Sequence, residues 1–522
     1  MKRKDLLTFF GQNNVEFDIL IIGGGATGLG IAVDAASRGY SVALCEQHDF
    51  AKGTSSRSTK LVHGGVRYLQ QGNVKLVVEA LRERGRMQRN APHLVRDMRF
   101  IIGAYRWYDR LMYTVGLTIY DILAGKLGLG RSLPMTAEAV KTELPGLKRK
   151  GLRGGVVYHD GQFDDSRLAI TLMQTAHNHG AHCINYFKVE SLLKSEDGRI
   201  CGVEANDVLS GQSYSLKSKV VINAAGVFVD ELMKQDNPDT SKKVRPSQGV
   251  HLIVDQKFLK GDSAFMIPKT KDGRVLFGVP WHGKVVLGTT DTPLESFSLE
   301  PKALDSEVDF ILDQAGQYLD MKPTRKDVLS VFAGLRPLAA SEDNNNSKTK
   351  EISRSHKIYR SDSGLLTITG GKWTTYREMA EEIVDLAIKV GALEPHSCST
   401  QNMKLHGYLE GVDRTNWDYV YGSEVYEIHE LIRENKVYSK LLHPEYSFTE
   451  AHVIWAARKE LAQTVEDVLA RRVRALFLDA RAAIQMAPKV AELMAQELGK
   501  SKEWQDEQIK EFNDLAKDYI LE

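Results

Sequence analysis

Cysteine is scarce in this sequence, and its scarcity excludes several kinds of site. The 522 residues include only four cysteines, and no two of them form a Cys-x-x-Cys pair. Such wide spacing argues against a zinc site, a disulfide framework or a dithiol redox centre, so we expect no bound metal and a reducing compartment. The four are Cys45, Cys183, Cys201 and Cys398.

Long apolar runs and a strong net charge are also lacking. No stretch approaches the length of a membrane-spanning helix, and the apolar run from Leu6 to Phe10 is too short for a signal peptide. The formal net charge is +1, so the chain as a whole is not a nucleic-acid binder by electrostatics. With 42% hydrophobic and 26% charged residues, the composition is that of an ordinary globular protein of two to four domains.

The stretch from Phe17 to Asp49 has the pattern of a βαβ unit with a dinucleotide fingerprint. An apolar strand enters Gly23-x-Gly25-x-x-Gly28, a helix follows, and a second strand ends near Glu46. Gly23 suits a tight turn, Gly25 allows the backbone to approach a pyrophosphate, and Gly28 allows the helix to pack on its strand. Glu46 follows Gly28 by 18 residues, where its carboxylate can accept hydrogen bonds from a ribose.

The next segment, residues 52–72, is dense in hydroxyl side chains, glycine and cations. Thr54, Ser55 and Ser56 can donate to a phosphate or a flavin edge, and Gly64 with Gly65 would let backbone come close to a ring. The alternative is a polar surface loop, and we favour function because the segment directly follows the ribose-binding position.

Two later strands end in glycine and indicate further parts of the same nucleotide-binding sheet. One runs from Val220 to Gly226, and the other reaches Gly370-Gly371 before a helix that begins near Thr374. Between them, β-branched runs separated by turn signals predict an inserted antiparallel sheet. From about residue 399 the pattern is helical.

Residues 82–125 are rich in arginine and aromatic side chains, with eight arginines between Arg82 and Arg110. Such a segment can lie in a membrane interface. The alternative is a pair of helices packed on the protein's own core, which the residues alone slightly favour.

These motifs together resemble the FAD-dependent glycerol-3-phosphate dehydrogenases of the aerobic, respiratory type, within the glycine and D-amino acid oxidase-like flavoproteins. The resemblance is carried by TSSRSTKLVHGGVRYL, the strand ending in AAG, GLRPL and GGKWTTYREMA, and it extends over nearly the whole chain. It implies an α/β fold made of a Rossmann-like FAD-binding domain, an inserted antiparallel β-sheet substrate domain and an all-helical C-terminal domain.

The resemblance also implies domain boundaries and a cofactor site. The FAD-binding domain would comprise residues 1–75, 155–230 and 355–395, with a helical, membrane-facing cap at 76–154, the substrate domain at 231–354 and the C-terminal domain at 396–522. FAD would contact Gly23, Gly25, Gly28, Glu46, Thr54, Ser55, Ser56, Lys60, Gly64, Gly226, Gly370, Gly371 and Lys372.

The implied substrate site holds a phosphate among cations. The positions that match the family are Arg67, Tyr68, His251, Arg336 and Lys372. Arginine can bind two phosphate oxygens at once and lysine adds a point charge. From the residues alone, His251 is more often a core histidine of a strand and Arg336 the cap of a turn, and it is the family match that favours a functional role for both. His48, His63 and His282 are expected to be structural or peripheral.

We therefore expect oxidation of sn-glycerol 3-phosphate to dihydroxyacetone phosphate, with hydride transfer to flavin N5, His251 as the base and Arg336 polarising the oxygen. The resemblance implies a membrane quinone as acceptor, a cytoplasmic enzyme docked on the inner face of the cell membrane, and a homodimer. Three alternatives stay open: an oxygen-using glycerol-3-phosphate oxidase, a flavin dehydrogenase of amino or hydroxy acids, and a non-catalytic flavin-binding protein.

Overall fold

The computed structural model describes residues 2–12, 15–70, 72–270, 273–340 and 356–522, apart from the side chains of Arg67 and Gln70. Its strands are β1 Glu16–Ile22, β2 Val42–Cys45, β3 Leu61–Val62, β4 Val95–Ala104, β5 Leu133–Met135, β6 Gly154–Phe163, β7 His182–Ile184, β8 Phe187–Lys194, β9 Ile200–Asp207, β10 Ser213–Asn223, β11 Val244–Asp255, β12 Ala264–Ile267, β13 Leu276–Trp281, β14 Lys284–Gly288, β15 Thr292–Pro293, β16 Val328–Ala339, β17 Lys357–Arg360, β18 Leu366–Thr369, β19 Leu441–His443 and β20 Tyr446–Thr449.

The α-helices frame these strands, and a π-helical segment occupies Asp467–Arg472. The α-helices are α1 Arg3–Phe10, α2 Ala26–Ser37, α3 Val66–Gln70, α4 Val74–Asn90, α5 Asp109–Ala124, α6 Ala137–Glu143, α7 Asp165–Asn178, α8 Val229–Asp236, α9 Asp305–Tyr318, α10 Tyr376–Val390, α11 Val425–Glu434, α12 Glu450–Lys459, α13 Ala475–Leu478, α14 Ala480–Leu498 and α15 Lys502–Lys517.

The first sheet is the nucleotide-binding sheet that the glycine motif predicts. Its strands lie in the order β17-β18-β10-β1-β2-β7, and β18, β10, β1, β2 and β7 run parallel. The strands of this parallel part are almost wholly buried, since helices such as α2, α7 and α10 pack beside them. The strand β9 extends the sheet by antiparallel pairing with β10, and β8 pairs antiparallel with β9.

The second sheet is largely antiparallel and has the order β15-β11-β14-β13-β12-β4-β6-β3, with β16 paired to β11 and β5 paired to β6. The α/β fold with an inserted sheet is thereby confirmed. The C-terminal part is helical as expected, with one added feature: β19 and β20 form a short hairpin.

The prediction of helix throughout residues 76–154 is wrong in part. Residues Val95–Ala104 form β4, which pairs antiparallel with β6 along its whole length. Met98 and Phe100 are buried while Asp97 and Arg99 are exposed, which is the alternation of a strand. The many arginines around these residues obscured that alternation in the sequence. The strand β6 also belongs to this second sheet, so the assignment of residues from 155 onward to the FAD-binding sheet is wrong for that strand.

Buried ion pairs join the C-terminal part to the first sheet. Arg471 Nε and Arg472 Nη1 each lie 2.5 Å from Oδ2 of Asp49, a residue just beyond β2. Both arginines and Asp49 are buried, and the two guanidinium groups lower the pKa of Asp49 although burial alone would raise it. The helical C-terminal part thus holds the segment that follows Glu46.

Candidate functional site

The glycine turn after β1 shapes one end of a cavity. Gly23 has φ +111°, a backbone conformation that side chains disfavour, and Gly25 precedes the first residue of α2. A Cβ on Gly28 would lie 1.9 Å from the carbonyl oxygen of Gly23, so only glycine lets α2 pack this closely. Gly23 and Gly28 therefore have the turn and packing roles that their spacing predicts, and the N-terminus of α2 faces the cavity.

Glu46 lies at the end of β2, beside this turn. Its carboxylate accepts hydrogen bonds from the backbone N–H groups of Gly24, at 2.6 Å, and His48, at 2.9 Å. Burial raises the pKa of Glu46, although these two N–H groups oppose the shift. The carboxylate is thus fixed at the cavity wall, where it can accept further hydrogen bonds.

The cavity has a volume of about 360 Å³ and extends from β8 past the glycine turn to the end of β18. The predicted cofactor residues on its wall are Gly23, Gly25, Glu46, Thr54, Ser55, Gly226, Gly370, Gly371 and Lys372. Gly226, Gly370 and Gly371 all have positive φ values, so the backbone bends sharply at these strand ends. The first sheet therefore brings together segments that lie over 300 residues apart in sequence.

A second cavity, of about 170 Å³, continues from the first. Thr54, Gly370, Gly371 and Lys372 line both, while His251 and Arg336 belong to the second. The pairing of β11 with β16 explains why these two residues line the same cavity. Ser247 of β11 lies opposite Arg336, and His251 lies opposite Phe332 four residues further along β11. His251, Arg336 and Lys372, which the sequence predicted as substrate-binding, thus line a single chamber.

His251 is buried in the wall of this chamber. Its Nε2 atom lies 2.8 Å from Thr59 Oγ1, its ring stacks on Phe332, and its Nδ1 atom has no hydrogen-bond partner among the described residues. Burial, with the positive charges of Lys60 and Arg336, lowers the pKa of the imidazole well below its ordinary value. A neutral imidazole with an unsatisfied nitrogen is able to accept a proton.

The Arg336 guanidinium is held by oxygen atoms around it. It donates to Thr289 Oγ1 at 3.1 Å and to the carbonyl of Thr290 at 3.0 Å, and it lies 3.3 Å from Asp291 Oδ1. Five N–H donors in a rigid plane allow it to keep these contacts and still face a ligand. Arg336 also lines a third cavity, so it lies at the junction of two chambers.

The third cavity has a volume of about 150 Å³ and contains Tyr68. The Lys372 ammonium lies 4.1 Å from the centre of the Tyr68 ring, which connects the second and third cavities. Arg67 belongs to α3 beside Tyr68, but its side chain is outside the described part of the structure.

Sequence reasoning missed two residues of these chambers. His63, expected to be structural or peripheral, lines both the second and the third cavity. Arg274 lines the third cavity, and its guanidinium also lies 5.1 Å from the centre of the Phe310 ring. His63 lies in the HGG motif, where the two glycines are the stronger local signal and a histidine carries none of its own. Arg274 precedes β13 with no local signal of function, and only the tertiary fold places it near Arg336.

Four predicted cofactor residues are not on the described walls of these cavities: Gly28, which packs against Gly23, and Ser56, Lys60 and Gly64. Lys60 is buried, and its ammonium contacts Asp165 Oδ2 and the Ser56 carbonyl, each at 2.7 Å. Burial lowers the pKa of Lys60 to about 7, against the opposing effect of Asp165. Ser56 is also buried, and Gly64 allows close packing of Leu81 and Tyr120, so the structure gives these four positions packing roles.

Family models cover most of the chain. Residues 18–377 match the FAD-dependent oxidoreductase family, and residues 367–507 match the C-terminal domain of alpha-glycerophosphate oxidase.

Relatives of known function align over nearly the full chain. The mitochondrial glycerol-3-phosphate dehydrogenase of Arabidopsis thaliana is 39% identical, with 96% of this chain and 86% of the relative covered. The human mitochondrial enzyme of the same name is 37% identical, with coverage of 99% and 75%.

Solved structures of similar proteins have the same fold. The glycerol-3-phosphate dehydrogenase from Bacillus halodurans, complexed with FAD, has a TM-score of 0.81 and 30% identity, with 99% of this chain and 98% of that chain covered. The L-alpha-glycerophosphate oxidase of Mycoplasma pneumoniae, at 18% identity and a TM-score of 0.57, covers 74% of this chain and 97% of its own, and shares the fold.

Proposed function

Because the chain belongs to the family of FAD-dependent glycerol-3-phosphate dehydrogenases, we propose that it oxidises sn-glycerol 3-phosphate to dihydroxyacetone phosphate and passes the electrons to a membrane quinone. The observation that carries the proposal is the series of connected cavities, in which a cavity lined by the glycine turn and Glu46 leads into chambers lined by His251, Arg336 and Lys372.

The first cavity fits FAD by the chemistry of its walls. The N-terminus of α2 offers N–H groups and a positive dipole end to the pyrophosphate, and Glu46 is placed to accept hydrogen bonds from the ribose. The glycines at Gly370 and Gly371 leave room where the first and second cavities join. Bound FAD would supply the acceptor, at its N5 atom, for the hydride of substrate C2.

The cationic side chains of the second and third cavities favour a phosphate over a single carboxylate. Arg336, Lys372 and Arg274 lie around these chambers, and the family match adds Arg67. A dianionic phosphate has three oxygens that accept charge-assisted hydrogen bonds, so it can contact more of these cations than a single carboxylate can. Lys372 and Arg67 would hold the phosphate, as the sequence predicts, and we add Arg274 to this set.

His251 would accept the proton of the C2 hydroxyl while Arg336 stabilises the negative charge that develops on that oxygen. The lowered pKa keeps the imidazole of His251 neutral, which is the form that can accept a proton, and also makes it a weaker base than an ordinary histidine. Its bond to Thr59 fixes the orientation of the ring. His63 is a second imidazole on the same chambers, and variants of the two residues separate their roles.

The membrane contact would be made by α5 and the residues that precede it. Trp107 is 81% exposed, and Leu111 and Ile122 are 69% and 71% exposed on one apolar face of α5. Arg106 and Arg110 adjoin this face, which suits an anionic bilayer surface. Arg96 and Arg99, in contrast, lie on β4 and bind Gln162 and Glu143, so the predicted interface is narrower than residues 82–125.

No helix in the described parts of the chain combines the length and the hydropathy needed to cross a membrane. By resemblance to the family, we infer peripheral docking on the inner face of the cell membrane and a homodimer. The experiment uses the FAD-loaded enzyme with anionic liposomes that contain a naphthoquinone. One quinol should form for each dihydroxyacetone phosphate, whereas stoichiometric peroxide without quinone reduction would identify an oxidase.

A further inference from the structure

A buried carboxylate lies behind the wall that holds Arg336. Glu307, the third residue of α9, is 5% exposed and lines none of the three cavities. Each of its two oxygens accepts two hydrogen bonds, so the carboxylate is fixed in one orientation. The donors are the hydroxyl groups of Thr290, at 2.8 Å, and Thr292, at 2.6 Å, the side-chain amide of Gln248, at 2.7 Å, and the backbone N–H of Leu304, at 3.1 Å.

Two of these donors belong to residues that also bind Arg336 through their backbones. The guanidinium donates to the carbonyl of Thr290 at 3.0 Å and to the carbonyl of Gln248 at 3.3 Å. The side chains of the same two residues donate to Glu307. In both residues, therefore, the carbonyl contacts Arg336 while the side chain contacts Glu307.

Close packing leaves these two residues little freedom to move. Thr290 and Gln248 are each 2% exposed, so water does not reach them to replace Glu307 as their acceptor. A Cβ on Gly249 would lie 2.3 Å from Arg336 Nη2, which shows how tightly the guanidinium fits against β11. A shift of either carbonyl would thus change the orientation of Arg336.

The position of Glu307 in α9 offers a purely structural explanation, because a glutamate in the first helical turn can cap the helix. Its bond from the N–H of Leu304 is of that kind. The other three bonds reach away from the helix, to β11 and to the segment between β14 and β15. Capping alone does not account for those three bonds.

We propose that Glu307 is a positioning residue for the reaction: through Thr290 and Gln248 it holds the Arg336 guanidinium in the orientation that stabilises negative charge on the substrate C2 oxygen. Such a group need not touch the substrate, since a displacement of about 1 Å at the reacting atoms can cost about a hundredfold in rate. The inference rests on the proposed function, because it requires that Arg336 acts on that oxygen.

Three variants of the FAD-loaded enzyme test this role. Glu307→Leu removes both carboxylate oxygens, and Thr290→Val removes one hydroxyl but keeps the carbonyl that Arg336 contacts. Thr292→Val is the matched control, because it loses the same kind of bond to Oε1 of Glu307 while its carbonyl accepts from the Ser247 hydroxyl instead of from Arg336. Stopped-flow flavin reduction by glycerol 3-phosphate gives the rates, and urea denaturation of the same samples gives their stability.

Glu307→Leu and Thr290→Val should slow flavin reduction by about ten- to a hundredfold at saturating substrate, with little change in the half-saturating concentration, because the orientation of Arg336 matters most in the transition state. Thr292→Val should keep the wild-type rate. Loss of a residue that only supports the fold would lower the urea midpoint and the flavin content, and the molecules that stay folded and flavin-loaded would be reduced at the wild-type rate.

A double-mutant cycle asks whether Glu307 acts through Arg336. Adding Glu307→Leu to Arg336→Met should cost little further rate, because the side chain that Glu307 positions is already gone. If Glu307→Leu does not fold, Thr290→Val takes its place in the same cycle. Wild-type reduction rates in Thr290→Val and in folded Glu307→Leu would overturn the proposal, as would losses that multiply in the double variant.

Failure of the proposed function gives a different result. If glycerol 3-phosphate does not reduce the flavin of the wild-type enzyme, the substrate assignment is wrong, and the roles of Arg336 and Glu307 are wrong with it. If the wild-type enzyme is reduced and the Glu307 and Thr290 variants are reduced equally fast, the function stands and only the role of Glu307 is wrong.

Discussion

The hydroxyl oxygen of Thr59 lies 2.8 Å from Nε2 of His251, and this contact orients the imidazole in the wall of the second cavity. Thr59 comes from the segment that follows the glycine motif, whereas His251 comes from β11 of the second sheet. Gly370 and Gly371, which follow β18 of the first sheet, line the same cavity, so both sheets contribute to its wall.

His251→Asn should slow substrate-dependent flavin reduction by about 10²–10⁴-fold, the usual contribution of a general base. Stopped-flow absorbance under anaerobic conditions measures that rate directly. His63→Asn is the matched variant, because His63 lines the same chamber. A near-normal rate in His251→Asn together with a large loss in His63→Asn would transfer the role of base to His63.

The pH dependence should reflect the lowered pKa of His251. A base is lost when pH falls through its pKa, so the acid limb of the reduction rate should lie well below pH 6.5, the ordinary value for histidine. Because a phosphate ester itself titrates near pH 6, the rate is measured at saturating substrate. An acid limb at or above pH 6.5 would show that the environment of His251 does not act as described.

Arg274→Met should raise the KM for glycerol 3-phosphate about tenfold, since it removes a cation from the third cavity. A hydrogen bond to a charged group contributes about 1.5–3 kcal/mol, which corresponds to roughly ten- to a hundredfold in affinity. Arg325→Met is the control, because Arg325 is bound to Asp305 and Asp309 on another surface. Equal KM values for Arg274→Met and Arg325→Met would remove Arg274 from the substrate site.

Arg472→Met should destabilise the protein by about 3–5 kcal/mol, because it leaves the buried Asp49 carboxylate with one guanidinium partner fewer. Arg433→Met breaks an exposed pair with Glu430 and should cost about 1 kcal/mol or less. Chemical denaturation gives both values, and bound flavin is measured on the same samples. Similar losses in the two variants would show that the buried pair is unimportant for stability.

Much of the fold follows from local sequence patterns. The glycine turn, Glu46 and Gly370-Gly371 each follow an apolar strand in the sequence. Their positions at strand ends of the first sheet could therefore be predicted locally. His251 and Arg336 could be predicted as site residues from the family motifs. Only the register of β11 against β16 shows that they lie near each other in the second sheet. The strand β4 was missed because its arginines hid an alternation of period two.

Other features depend on contacts that no local pattern reveals. Asp49 and Arg472 lie 423 positions apart, and in sequence Arg471 and Arg472 look like an exposed cationic face. The burial of Lys60 could not be predicted for the same reason, because its partner Asp165 lies 105 positions away in the sequence. These charges are buried because the C-terminal part packs against the first sheet. Composition and periodicity give no information about that packing.

The most direct test of the central claim is anaerobic titration of the FAD-loaded enzyme with sn-glycerol 3-phosphate, followed by the visible flavin absorbance. The connected cavities and their cations predict prompt loss of the oxidised flavin band with glycerol 3-phosphate and no loss with glycerol, which lacks the phosphate. A band unchanged by glycerol 3-phosphate but lost with an amino or hydroxy acid would contradict the account.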